Sequence, residues 1–117
     1  MAYTFAKSDR LRKRREFLEI QKKGKKIANA YFIVLVKPGA TFRTRLGITA
    51  SKKVGNATVR NRLKRLSREY FRKNRSTFKS HWDINLIIKP RAAELSSKHV
   101  FLALKEIFER IPNSFEA

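Results

Sequence analysis

Apolar and polar side chains alternate along this chain in three distinct rhythms. Leu11, Phe17, Leu18 and Ile20 form a broad apolar arc on the stretch that begins at Ser8, which predicts a first helix stopped at Gly24, just before Lys25 and Lys26. Tyr31–Lys37 (YFIVLVK) is β-branched and aromatic and predicts a strand buried on both faces or nearly so. Pro38-Gly39 signals a turn, and Phe42–Ala50 (FRTRLGITA) resumes the alternation of a strand; such a strand–turn–strand pair is most simply antiparallel. Lys52–Asn56 reads as a loop, with Asn56 a suitable N-cap for a helix over Ala57–Lys73, about 25 Å long. After a polar connection at Asn74–Ser80, Trp82–Lys89 (WDINLIIK) predicts a third strand, which Pro90 stops. Ser96 or Ser97 can cap a last helix from about Lys98 to Arg110 that turns Val100, Phe101, Leu104, Ile107 and Phe108 to one side and ends before Pro112.

This order of elements predicts an α+β fold, a small antiparallel or mixed sheet covered by helices. With 117 residues and an apolar fraction of 42%, one domain over residues 1–117 with a single core is expected, residues 1–7 forming a loosely ordered arm. No apolar run approaches the roughly 20 residues of a membrane helix, and Met1–Ile20 has no apolar stretch of the signal-peptide kind. The chain has no cysteine, so disulfides, thiolate nucleophiles and cysteine-based zinc sites are excluded.

Charge narrows the reading most. Lys and Arg number 29 against 9 Asp and Glu, a formal net charge of +20. So large an excess costs self-repulsion unless a polyanion neutralises it. It is also segregated: residues 52–79 hold 11 basic side chains and one acidic, whereas residues 80–117 hold five of each. The basic excess therefore marks a face rather than a uniform coat.

The helix VRNRLKRLSREYFRK concentrates it. With Arg60 at zero and about 100° per residue, Asn61, Lys64, Arg65, Arg68 and Arg72 fall within roughly 140°, flanked by Arg62 and Lys73. Val59, Leu63, Leu66 and Tyr70 lie opposite. A merely solvated face would interleave Glu with Lys, yet Glu69 is the helix's one acid. Arginine's planar fork suits phosphate, and Lys52, Lys53 and the first-turn N–H groups add to the anion site. The nine acids are scattered, and no paired-carboxylate, zinc or Ser–His–Asp spacing is present, so no catalytic residue and no protein-held metal is assigned. His81 and His99 read as ordinary histidines and Trp82 as core.

Lys52-Lys53-Val54-Gly55-Asn56-Ala57, followed by Arg60-Asn61-Arg62, Lys64-Arg65 and Arg68, resembles the signature of the bacterial ribonuclease P protein subunit. Arg15-Glu16-Phe17, Gly24 and the strand near Phe32 are similar too, so the likeness spans nearly the whole chain. It implies an α-β sandwich with a left-handed βαβ crossover, like a ribosomal-protein domain, and a bacterial cytoplasmic protein. It also implies two partners: a large catalytic RNA, and the 5′ leader of precursor tRNA, which the ribonucleoprotein removes. The chemistry would belong to the RNA and the Mg²⁺ it requires, with no cofactor on protein side chains. Carried over by position, Lys52, Lys53, Asn56, Arg60, Asn61, Arg62, Lys64, Arg65 and Arg68 would meet the catalytic RNA. Phe17, Tyr31, Ile33, Leu35, Thr49 and Ser51 would line a cleft for the leader, although Gln21 and Leu35 stand where many relatives carry aromatics. The alternatives are a non-catalytic structural or ribosomal RNA-binding protein and a DNA-binding module; the latter would call for a dimer surface or a helix-turn-helix pair, and neither is evident.

Overall fold

The computed structural model describes residues 10–11, 13–39, 43–78 and 81–111. The expected arm at residues 1–7, the start of the strand at Phe42 and the stop at Pro112 lie outside these residues. The elements run α1 (Arg14–Lys23), β1 (Lys25–Ala28), β2 (Phe32–Pro38), β3 (Arg45–Thr49), α2 (Ala57–Asn74), β4 (Trp82–Ile88) and α3 (Ser97–Phe108). Short 3₁₀ turns at Lys52–Val54, Arg75–Thr77 and Pro90–Glu94 join them.

The sheet is mixed, in the order β1-β2-β4-β3. β2 runs antiparallel to both β1 and β4, while β3 runs parallel to β4. The expected hairpin between the strands flanking Pro38-Gly39 therefore does not form: β4 inserts between them. Both flanking strands need a partner whose apolar residues stay in step over several pairs, and β4 supplies it. Phe32, Val34 and Val36 pair with Ile88, Leu86 and Ile84, and Leu46 pairs with Ile84 from the other side. α2 is the crossover that parallel neighbours require.

The two faces of the sheet differ. Phe32, Val34, Val36, Leu46, Ile84, Leu86 and Ile88 are buried and join Leu63, Leu66 and Phe71 of α2 and Val100, Leu104, Ile107 and Phe108 of α3 in the main core. The alternate positions Ile33, Leu35 and Ile87 are only half-buried. α1 covers part of this second face, with Ile20 fully buried.

α1 starts at Arg14 rather than Ser8 because the preceding chain is drawn onto β3. Arg10 bridges Leu46, and the Leu11 N–H donates to the Leu46 carbonyl at 3.1 Å. Glu16 Oε1 then accepts from the Lys13 N–H (3.2 Å) and closes the first turn. Asn56 and Ser96 cap α2 and α3 by accepting from the N–H groups of Val59 and His99. β1 was not foreseen: four residues (KKIA) with two exposed lysines carry no strand rhythm of their own, and pairing with β2 alone orders them.

Candidate nucleic-acid interface

α2 sorts its side chains by what lies beneath them. Leu63, Leu66, Ser67 and Phe71 are buried, an arc centred between Tyr70 and Ser67. Ser67 satisfies its buried hydroxyl by donating to the Leu63 carbonyl at 2.8 Å. Asn61, Arg65, Arg68 and Lys73 are exposed, and Lys64 and Arg72 are half-buried. Among the described residues, Asn61, Lys64, Arg65 and Arg68 make no ion pair, and Lys52 and Lys53 stand exposed on the 3₁₀ turn before the helix. Glu69, at the margin, draws in Arg72 (3.1 Å) and Lys73 (3.6 Å).

Two of the predicted cations are turned to other work. Arg60 Nε donates to the Gly55 carbonyl (3.1 Å), tying the helix start to its loop. Arg62 Nη2 donates to the Leu95 carbonyl (3.0 Å) and to Ser97 Oγ (3.4 Å), tying α2 to the start of α3. Asn56 uses its side-chain oxygen as the cap. The continuous cationic face thus comprises Lys64, Arg65 and Arg68, with Asn61 among them.

A second group forms where α1, β3 and α2 meet. Arg10, Leu11, Phe17, Leu46, Gly47, Ile48, Lys64 and Arg68 line a cavity of about 160 Å³. Phe17 packs directly against Gly47: a Cβ there would stand 2.5 Å from Phe17 Cζ and 3.1 Å from Leu11 Cβ. One small recess therefore joins an aromatic ring to cations from a different element. The sequence assigned Phe17 to one surface and Lys64 and Arg68 to another, and missed Arg10 and Gly47. The available signal was a glycine inside a strand pattern, which marks close approach of another group.

On the same sheet face Ile33 pairs with Ile87, Leu35 with Asn85 and Thr49 with Ile87. Thr49 Oγ1 lies 3.1 Å from Asn85 Oδ1, so this face is an apolar strip with a polar margin, and Ser51 is exposed just beyond it. Tyr31 precedes β2, packs against the main core, and holds the Arg91 guanidinium 5.7 Å from its ring.

Beneath α1 lies a charge network. Arg45 donates from Nε and Nη2 to the two oxygens of Asp83 (3.0 Å each) and from Nη1 to Glu16 Oε2 (2.7 Å). Lys37 Nζ stands 3.8 Å from Asp83. Hydrogen bonding to Asp83 raises the Arg45 pKa against the opposing effect of burial, with Glu16 adding to the rise. This network fixes α1, and with it Phe17, over the strand that carries Gly47.

The described carboxylates are largely committed. Glu16 and Asp83 serve this network, and Glu19, Glu69 and Glu106 pair with lysine or arginine on their own helices or, for Glu106, just beyond its end. Among the described residues no cluster of three or more His, Asp or Glu is placed to hold a metal, and no helix is long and apolar enough to cross a membrane.

A basic α+β domain that presents one arginine-lined helix face beside a half-covered sheet is a small nucleic-acid-binding protein of the kind that docks through a fixed cationic surface. The sequence model of the family described as Ribonuclease P matches residues 5–112. The ribonuclease P protein component of Desulforapulum autotrophicum is 42% identical over 113 residues, covering 97% of each chain. That of Desulfosudis oleivorans is 44% identical over 114 residues, 97% of this chain and 94% of the relative. A solved structure of a Staphylococcus aureus RNase P protein mutant superposes with a TM-score of 0.85 at 34% identity, covering 88% of this chain and 87% of that one. The chain belongs to the ribonuclease P protein component family. It is the protein subunit of a ribonucleoprotein endonuclease of tRNA processing, and its partner is the RNase P RNA.

Proposed function

We propose that the two surfaces divide the RNA between them. The exposed face of α2, with Asn61, Lys64, Arg65 and Arg68, and the approach at Lys52, Lys53 and Asn56 meets phosphates of the catalytic RNA, Lys64 and Arg68 standing at the border with the second surface. Arg60 and Arg62 set the helix in place and contribute charge from its edges. The 5′ leader of precursor tRNA passes through the recess at Phe17 and along the strip formed by Ile33 and Leu35, with Thr49 and Ser51 available to its phosphates. Tyr31, just before β2, stands at the end of this strip. Hydrolysis is assigned to the RNA and its Mg²⁺, and the protein acts in the bacterial cytoplasm, where tRNA precursors arise.

The observation that carries this reading is the sharing of one recess by the Phe17 ring and the Lys64 and Arg68 cations. A single-stranded leader offers both an unstacked base and a phosphate, and recognition of single strands combines ring stacking with cations. The test is a reconstituted holoenzyme given precursor tRNA with and without its leader. Phe17→Ala is expected to weaken binding of the leader-bearing precursor by roughly 5- to 100-fold while leaving mature tRNA nearly unchanged. Equal loss for both would reduce Phe17 to a packing residue.

A further inference from the structure

Beyond the far end of α2 lies a larger recess that neither surface uses. Arg43, Thr44, Arg75, Phe78 and His81 line a cavity of about 320 Å³, twice the volume of the one at Phe17. We propose that this recess is a further seat for an RNA phosphodiester, with Arg43 and Arg75 on the phosphate and Phe78 beside the base.

At 100° per residue Lys64 and Arg68 fall at about 40° and 80° on α2, and Arg75 stands one residue past its end, so the cations of the helix lead about 16 Å along the rod toward this recess. Asn74 leaves the helical angles (φ −115°, ψ 9°) and Arg75 opens the 3₁₀ turn that follows, where its side chain lines this recess. The Arg75 guanidinium is held 5.4 Å from the centroid of the Phe71 ring, and Phe71 in turn packs against Phe78 at 6.1 Å. A fork oriented by an aromatic surface loses less freedom when it grips a phosphate. The opposite wall is fixed as well. The Gly39 N–H donates to the His81 carbonyl (2.8 Å), and the Trp82 N–H donates to Thr44 Oγ1 (3.1 Å), so Gly39, the residues just before β3 and the start of β4 are locked together.

The proposal rests on the reading of α2 as an RNA-facing helix, and the experiment separates the two. Binding is measured against salt in two arms, protein with the catalytic RNA alone and holoenzyme with leader-bearing precursor. Arg43→Gln and Arg75→Gln are compared with Lys98→Gln, an equal loss of charge at an exposed site on α3, and with Arg65→Ala. Each recess variant is expected to reduce the log–log slope by about 0.7–0.9 in one arm, and Lys98→Gln to leave it unchanged. A change in the first arm assigns the phosphate to the catalytic RNA; a change confined to the second assigns it to the precursor. Unchanged slopes for the recess variants in both arms, or an equal change with Lys98→Gln, overturn the seat. If Arg65→Ala still lowers the slope, only the seat fails; if it does not, the reading of α2 fails with it. Should Arg75→Gln lose its fold by circular dichroism, the exposed Arg43 decides alone.

Discussion

Gly47 shows how much one missing side chain can place. Its lack of a Cβ lets the Phe17 ring sit on the β3 backbone, and any larger residue would occupy the ring's own volume. Gly47→Ala is therefore expected to displace Phe17 and reproduce the leader-specific loss of Phe17→Ala, with a stability cost of about 1–3 kcal/mol from overpacking. The same leader assays, paired with denaturant unfolding, check both parts. Tyr70 is a residue-scale case on the opposite side of α2. Its ring stacks on Phe108 at a centroid distance of 5.5 Å, and burial, reinforced by the charge of Glu109, pushes its pKa up to about 12. The fold thus favours the neutral phenol: its contribution is fully present below the ordinary tyrosine pKa near 10 and is lost as pH rises through about 12. In an ultraviolet phenolate titration, Tyr70→Phe should remove a component near pH 12; loss of a component near pH 10 would place this hydroxyl in water.

At the scale of the element, α2 joins two functions that constrain each other. Leu63, Leu66 and Phe71 hold it to the sheet and α3, so its outer cations cannot rotate away from one another to relieve repulsion. That repulsion is relieved when phosphates arrive, and each phosphate so neutralised releases counterions condensed on the RNA. Replacing Arg65 and Arg68 together with Ala should lower the slope of log K against log salt for the catalytic RNA by about 1.4–1.8, near 0.7–0.9 per lost contact. A slope equal to that of the unaltered protein would mean the helix faces elsewhere. Substitutions at Arg62 should act differently, because its bonds to Leu95 and Ser97 tie two helices together and their loss is felt first in unfolding.

For the whole molecule, the decisive link is the Glu16–Arg45–Asp83 network, which joins α1, β3 and β4 across 67 positions of sequence. Asp83 is almost wholly buried, so Asp83→Ala would leave the Arg45 charge without its main partner and should cost about 3–5 kcal/mol of unfolding free energy. The same variant should loosen α1 and raise hydrogen exchange at Glu16–Ile20; native-like protection there would show that α1 is held by Ile20 packing alone.

The sequence by itself determined the basic character of the protein, the helical phase of α2, the caps at Asn56 and Ser96, and the apolar cores of β2 and β4. These follow from local periodicity and side-chain chemistry, which a chain carries wherever it folds. Tertiary structure decided which strand stands between which, because pairing depends on how residues far apart in sequence match in register. It turned Arg60 and Arg62 toward backbone carbonyls, since neighbouring loops brought acceptors within their reach. It also set Phe17, Gly47, Lys64 and Arg68 around one recess, a convergence of three elements that no spacing along the chain encodes.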